Sequence, residues 1–167
     1  LDYYHDLAIT KGADRQLYRS FLRKGNIFRL QNRIEEARTH YYEAQLVAKK
    51  INNARLEAII IGNLGNLHLH QGEYLESIKK YNKAKKIFVT EGDKDGEARM
   101  LNATGAINSR IGNHDIALVH YEEALSIYSL LQVDEYNAGL GTTTILMNIG
   151  LIHFENDLFI KAESSFI

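Results

Sequence analysis

Cysteine and proline are both missing from these 167 residues. Without cysteine, disulfides, thiol catalysis and cysteine-ligated zinc drop out within this stretch. The same lack fits a cytoplasmic setting, where disulfides are rare. Without proline, the sharpest interrupter of helices is gone, so helices can run long, with glycine and asparagine left to punctuate them. No charge of one sign dominates. The chain has 20 basic and 21 acidic residues, a formal net charge of −1, and lacks the concentrated basic face that nucleic-acid binding needs. Apolar runs are short, such as residues 58–61, far below the ~18 residues of a membrane span. The chain does not open on a basic-then-apolar targeting segment.

What the sequence does contain is repetition. Gly25 is followed by Ala37, Tyr41 and Ala44, and Gly65 by Ser77, Tyr81 and Ala84. Gly105 is followed at the same spacings by Ala117, Tyr121 and Ala124, and Gly150 by Ala162 and Phe166. Internal repeats of this period decide the architecture before any local motif does. Within each unit the small–aromatic–small triplet falls at i, i+4 and i+7, one face of a helix. Two small residues beside an aromatic leave a notch for a neighbouring helix. A glycine inside a helix costs roughly 1 kcal/mol and must be justified by close packing. The chain is therefore expected to be all-α, a row of antiparallel helix hairpins whose stacking closes the core. Helices are expected near residues 13–31, 34–51, 53–71, 74–91, 94–112, 115–132, 135–156 and 159–167. Hairpin turns fall at 31–33, 71–73, 112–114 and 156–157, and longer joints at 52–53, 92–96 and 132–135.

These slots resemble the tetratricopeptide repeat. Its leucine slot reads Lys24, Leu64, Thr104 and Ile149, its glycine slot is filled in all four copies, and its first-helix aromatic slot reads Phe28, His68, Asn108 and His153. The forty-residue period is similar to the longer variety seen in Pins-type scaffolds and many bacterial regulators. The resemblance implies a right-handed superhelical solenoid over residues 1–167. Residues 1–12 would end a preceding repeat at Gly12, with repeats near 14–52, 53–92, 94–133 and a truncated 135–167. Neither end carries a polar cap and the first residue is not methionine, so a piece of a longer array is expected, with disordered ends as the alternative. Around residues 133–141, a hinge and a plain one-turn extension are both open readings.

Local chemistry is sparse. Gly139 and Gly141 lack the strand and third glycine of a dinucleotide loop. Asp93 and Asp95 fall short of a calcium loop, whose closing glutamate position holds Asn102. His68 and His70 point to different helix faces, and His114 and His120 are poorly spaced for a metal. His68 and His153 are expected as packed core histidines. No catalytic residues, cofactor or metal site are assigned, and the chain is read as non-enzymatic.

The candidate site is a groove lined by the first helices of the repeats. Helical phase directs Arg19, Arg23, Asn26 and Arg29 there from the first unit and Asn63, Asn66 and His70 from the second. Arg99, Asn102 and Arg110 come from the third, and Met147, Asn148 and Glu155 from the fourth. Asparagine is a poor helix former, and its amide can bracket a peptide group. In Pins-type and kinesin-light-chain repeats such asparagines grip a ligand backbone, and Asn63 and Asn148 match those slots, whereas Ala103 breaks the ladder. Of a chaperone-type carboxylate clamp, Asn26, Asn63 and Arg99 are present, with Leu22 and Ala103 replacing two basic residues. The arginine surplus predicts a protein or peptide ligand of acidic character. The leading reading is a peptide-binding module, the sensing or scaffolding part of a larger protein. The alternatives are a structural segment that self-associates through its uncapped ends, or a regulatory domain for an attached signalling or DNA-binding domain.

Overall fold

The computed structural model describes the backbone of residues 2–131 and 135–164, and the side chains of residues 12–131 and 141–157. Seven helices run through the described residues: α1 (Asp2–Leu30), α2 (Ile34–Lys50), α3 (Ala54–His70), α4 (Tyr74–Thr90), α5 (Lys94–Arg110), α6 (His114–Leu130) and α7 (Glu135–Ser164). No described helix is long and apolar enough to cross a membrane. The chain divides between Glu91 and Gly92 into two compact units, α1–α4 and α5–α7.

Turns are more regular than the sequence suggests. Each of α2 to α6 has 17 residues. Asn32, Asn52, Gly72, Gly92 and Gly112 carry positive φ angles of 58°, 52°, 75°, 70° and 82°. They stand 20 residues apart, so hairpin turns and inter-hairpin joints have one length, and the longer joint expected at 92–96 is absent. Glycine adopts this left-handed conformation without a Cβ penalty, and asparagine is among the few side chains that tolerate it. Asp93 is the N-cap of α5, its carboxylate accepting from the Gly96 amide at 2.9 Å. Asn53 caps α3 in the same way through the Leu56 amide. Capping, not calcium, accounts for Asp93.

In the first unit α1 pairs with α2, α3 with α4, and α2 with α3. The core joins Tyr18, Tyr41, Ala44, Val47, Ile60 and Leu64, with Phe21, Leu22 and Phe28 against it. A Cβ placed on Gly25 would lie 2.5 Å from Tyr41 Cε1, and one on Gly65 would lie 2.7 Å from Tyr81 Cε1. The second unit repeats the device: a Cβ on Gly105 would meet Tyr121 Cε1 at 2.8 Å. Its core gathers Leu101, Ala117, Tyr121, Ala124, Tyr128, Ile145 and Ile152. Where the third repeat puts polar residues in the core, they are satisfied by their own helix. Thr104 Oγ1 donates to the Met100 carbonyl at 2.9 Å, and Asn108 Nδ2 to the Thr104 carbonyl at 2.9 Å.

Three further expectations are corrected. Helix α1 passes through Gly12 without a break; Gly12 is exposed with open space around it, and without a left-handed φ it serves as no C-cap. Helix α7 likewise runs through Asn156 and Asp157, where a turn was expected. His153 is exposed, not packed in the core, while His68 is half-buried and its Nδ1 lies 2.6 Å from Glu73 Oε2. Ala162 lies on α7 and Phe166 outside the described residues, as does the joint at 132–134.

Candidate functional site

In the first unit, α1 carries Arg19 and Arg23 one turn apart. With Gln16, Ser20, Lys24 and Ile27 they line a shallow groove of ≈ 340 Å³. Arg19, Arg23 and Lys24 are exposed, and none has an ion pair among the described residues. By contrast, Lys50 pairs with Asp14 at 2.8 Å and Arg33 with Glu36 at 2.5 Å.

The asparagines of this unit do different work. The Tyr41 hydroxyl donates to Asn26 Oδ1 at 2.8 Å, and the Tyr81 hydroxyl to Asn66 Oδ1 at 2.6 Å. Each acceptor directly follows a notch glycine, so the asparagine receives the hydroxyl of the ring that fills the notch. Asn66 Nδ2 then donates to Asn63 Oδ1 at 3.5 Å, and Asn63 Nδ2 to the Ile59 carbonyl at 3.1 Å. Asn26, Asn63 and Asn66 are thus tied into the hairpins, with part of their hydrogen-bonding capacity spent there. Burial raises the pKa of both tyrosines above the ordinary value; the nearby Arg29 opposes it at Tyr41, and a Ser77 hydrogen bond, then Arg29, at Tyr81.

The second unit breaks that pattern. Gly105 is followed by Ala106, so Tyr121 has no asparagine next to its notch glycine. Its hydroxyl lies instead beside Asn148 of α7, whose side chain partly offsets the rise in pKa caused by burial. Tyr121 and Asn148 lie in a groove of ≈ 940 Å³, whose rim includes Arg110, His114, Glu155 and Asn156. His114 Nε2 is 3.6 Å from Glu155 Oε2, and its Nδ1 is 3.3 Å from Asn156 Oδ1. This groove brings Arg110 of α5 and Asn148 of α7 together. Arg99 and Asn102 stand nearer the start of α5. Arg99 is held by Asp95 at 3.5 Å, and the half-buried Asn102 keeps a buried side-chain oxygen without a hydrogen-bond partner. His114 and Tyr121 were not foreseen as groove residues. The sequence does carry a signal, the alanine at 106 where the two earlier repeats have asparagine. Among the described residues no cluster of three or more His, Asp or Glu side chains could hold a metal ion.

Equal helices, left-handed pivots and a glycine–tyrosine notch in every described hairpin define an all-α helical-repeat protein of the solenoid class. Residues 56–129 match the family model of the tetratricopeptide repeat. The chain is similar to the "Uncharacterized protein ycf37" of Guillardia theta, with 27% identity over 121 residues, covering 72% of this chain and 61% of that protein. The chain thus spans about 61% of the length of that curated relative. Among crystal structures, the TPR domain of Arabidopsis FLU superposes with a TM-score of 0.60 at 22% identity, covering 68% of this chain and 95% of that one. BtubC (BKLC) from P. vanneervenii superposes with a TM-score of 0.69 at 19% identity, covering 90% and 61%. At these identities the two structures speak to fold alone. Tetratricopeptide-repeat domains are in general protein–protein interaction modules, and typically non-catalytic.

Proposed function

We propose that the chain is a non-catalytic module that binds an acidic protein segment. The observation that carries this is the Arg19, Arg23 and Lys24 face of α1, three cations beside a groove with no counter-charge among the described residues. Unneutralised guanidinium groups favour a carboxylate-bearing partner, which they contact in a two-pronged geometry that lysine lacks. The groove of the second unit adds Arg110 for charge and the Asn148 amide for a peptide group. Asn26, Asn63 and Asn66 act chiefly through the hairpins that present these groups.

The test is fluorescence anisotropy with a labelled Glu/Asp-rich peptide, using a Lys-rich peptide of equal length as control. Binding to the acidic peptide alone is expected, with at least a tenfold loss in the Arg19→Ala/Arg23→Ala variant. It should also weaken strongly between low salt and ~0.5 M salt, because exposed charges are screened over less than 10 Å there. Equal binding of both peptides, or salt-independent binding, would sink the proposal.

A further inference from the structure

The near-balance of charge over the whole chain conceals one concentrated cationic face. Lys79, Lys80, Lys83, Lys85 and Lys86 fall within eight residues of α4, and no acidic residue interrupts them. They leave the remainder of the chain with 15 basic residues against all 21 acidic ones. The repeat does not demand these lysines. At the matching positions α2 carries Thr39, His40, Glu43, Gln45 and Leu46, and α6 carries Val119, His120, Glu123, Leu125 and Ser126. Lys83 thus stands where both sister helices place a glutamate.

Helical phase gathers the lysines on one side. Ser77, Tyr81, Ala84 and Phe88 form the inner face of α4 and are buried. Opposite them Lys79, Lys83 and Lys86 follow at i, i+4 and i+7, all exposed. Lys80 and Lys85 flank that stripe and are half-buried. Lys79 pairs with Glu76 at 2.6 Å, while Lys83, Lys85 and Lys86 have no ion pair among the described residues. Leu75 and Val89 share the outer face at its two ends and are 66% and 49% exposed. They stand about 21 Å apart along the axis. Because α4 lies in mid-chain, its outer face is not left bare by a chain end.

We infer that the outer face of α4 docks the chain on an anionic lipid surface. Lysine carries a compact charge on a flexible stem, which suits a plane of headgroups without fixed geometry. The arginines of the α1 groove, with their rigid forks, suit a single carboxylate or phosphate instead. Lysine clusters on an amphipathic helix attract anionic phospholipids, each residue near the surface contributing roughly fivefold in affinity. Leu75 and Val89 are placed to enter the boundary between headgroups and acyl chains. A nucleic-acid backbone has no use for these two side chains. The face also offers no aromatic ring, among the described residues, on which a base could stack. The contact is with the surface, since no described helix is long and apolar enough to cross the membrane.

The test is flotation of the 167-residue chain with vesicles of phosphatidylcholine, alone or with roughly one-third phosphatidylserine. Binding to the phosphatidylserine vesicles alone is expected. The Lys79→Gln/Lys83→Gln/Lys86→Gln variant should keep its helical signal, since glutamine forms helices about as well as lysine. Its partitioning onto those vesicles should fall roughly a hundredfold. Arg15→Gln/Arg55→Gln/Arg99→Gln removes the same charge from exposed positions on α1, α3 and α5. That control should bind within roughly twofold of the wild type, because the lysine face is intact. Leu75→Ser/Val89→Ser should weaken binding several-fold at unchanged charge. No binding to phosphatidylserine vesicles overturns the inference, as does equal binding to the neutral ones. An arginine variant that loses as much as the lysine variant overturns it too, because net charge and not the face would then govern. A single-stranded oligonucleotide that binds through the three lysines, with vesicle binding indifferent to Leu75→Ser/Val89→Ser, overturns it in favour of nucleic acid.

Discussion

Replacing Gly65 with alanine sets two effects of opposite sign against each other. In a helix interior alanine is favoured over glycine by about 1 kcal/mol. At Gly65, however, the new Cβ would sit 2.7 Å from Tyr81 Cε1, 2.8 Å from Cδ1 and 3.2 Å from Lys80 Cβ. Carbon atoms prefer ~3.5–4.0 Å, so the ring or the whole of α4 must retreat by nearly an ångström. The ring has little freedom: Tyr81 is 1% exposed and its hydroxyl is held by Asn66 at 2.6 Å. The helix is held as well, because Ser77 Oγ donates to the Gly65 carbonyl at 2.8 Å. Overpacking of this kind costs roughly 1–3 kcal/mol, and a strained hydroxyl bond adds up to about 1 kcal/mol. Against the helix gain, Gly65→Ala should be net destabilising, by up to about 3 kcal/mol. For a chain of this length that lowers Tm by roughly 2–4 °C per kcal/mol. The control is Gly12→Ala, also helical but in open space, which should stabilise by about 0.4–1 kcal/mol. Thermal and urea melts followed by circular dichroism report both. If Gly65→Ala raises Tm as Gly12→Ala does, the notch is not what the glycine is for.

The same packing can be probed from the other helix. Ala117 is fully buried, and Ala117→Leu should cost roughly 1–3 kcal/mol; an unchanged melting temperature would mean that the repeat register is wrong. The notch tyrosines add a pH dependence. Burial raises the pKa values of Tyr41, Tyr81 and Tyr121 above the ordinary tyrosine value of 10.0, so the folded state resists their ionisation. A group with a raised folded pKa contributes its stability fully below the unfolded value and loses it as pH climbs through the folded one. The urea midpoint should therefore show no tyrosine-linked change from pH 7 to 9 and fall above pH ~10, and a Tyr81→Phe variant should fall less steeply. A midpoint level to pH 11 would refute this.

The repeat was legible because its determinants are short-range. Gly65, Ser77 and Tyr81 sit within one hairpin, and the spacing that reveals them is the spacing at which they touch. Turn positions were legible for the related reason that Asn32, Gly72 and Gly112 are the few residues suited to a left-handed φ. Gly12 and Asn156 carry the same letters without the conformation, because residue type permits a pivot and does not impose one. The site was less legible. Helical phase places Asn26 and Asn66 on the groove side, yet nothing in phase says that a tyrosine from the next helix claims their oxygens. The Tyr121–Asn148 contact joins residues 27 apart on different helices, and only the packing of α6 against α7 creates it.

The distance in sequence between the two halves of each notch also bears on how the chain comes into being. Tyr41, Tyr81 and Tyr121 each trail their notch glycine by 16 residues, and the next notch glycine comes 24 residues after the first two tyrosines. Closing so short a loop has a small and nearly constant entropic cost, and proteins dominated by such local contacts fold fast. During synthesis each hairpin therefore has its complete lock before the following glycine has been made. Order of assembly is written into the polypeptide as a delay, with tyrosine as the last piece of every unit to arrive.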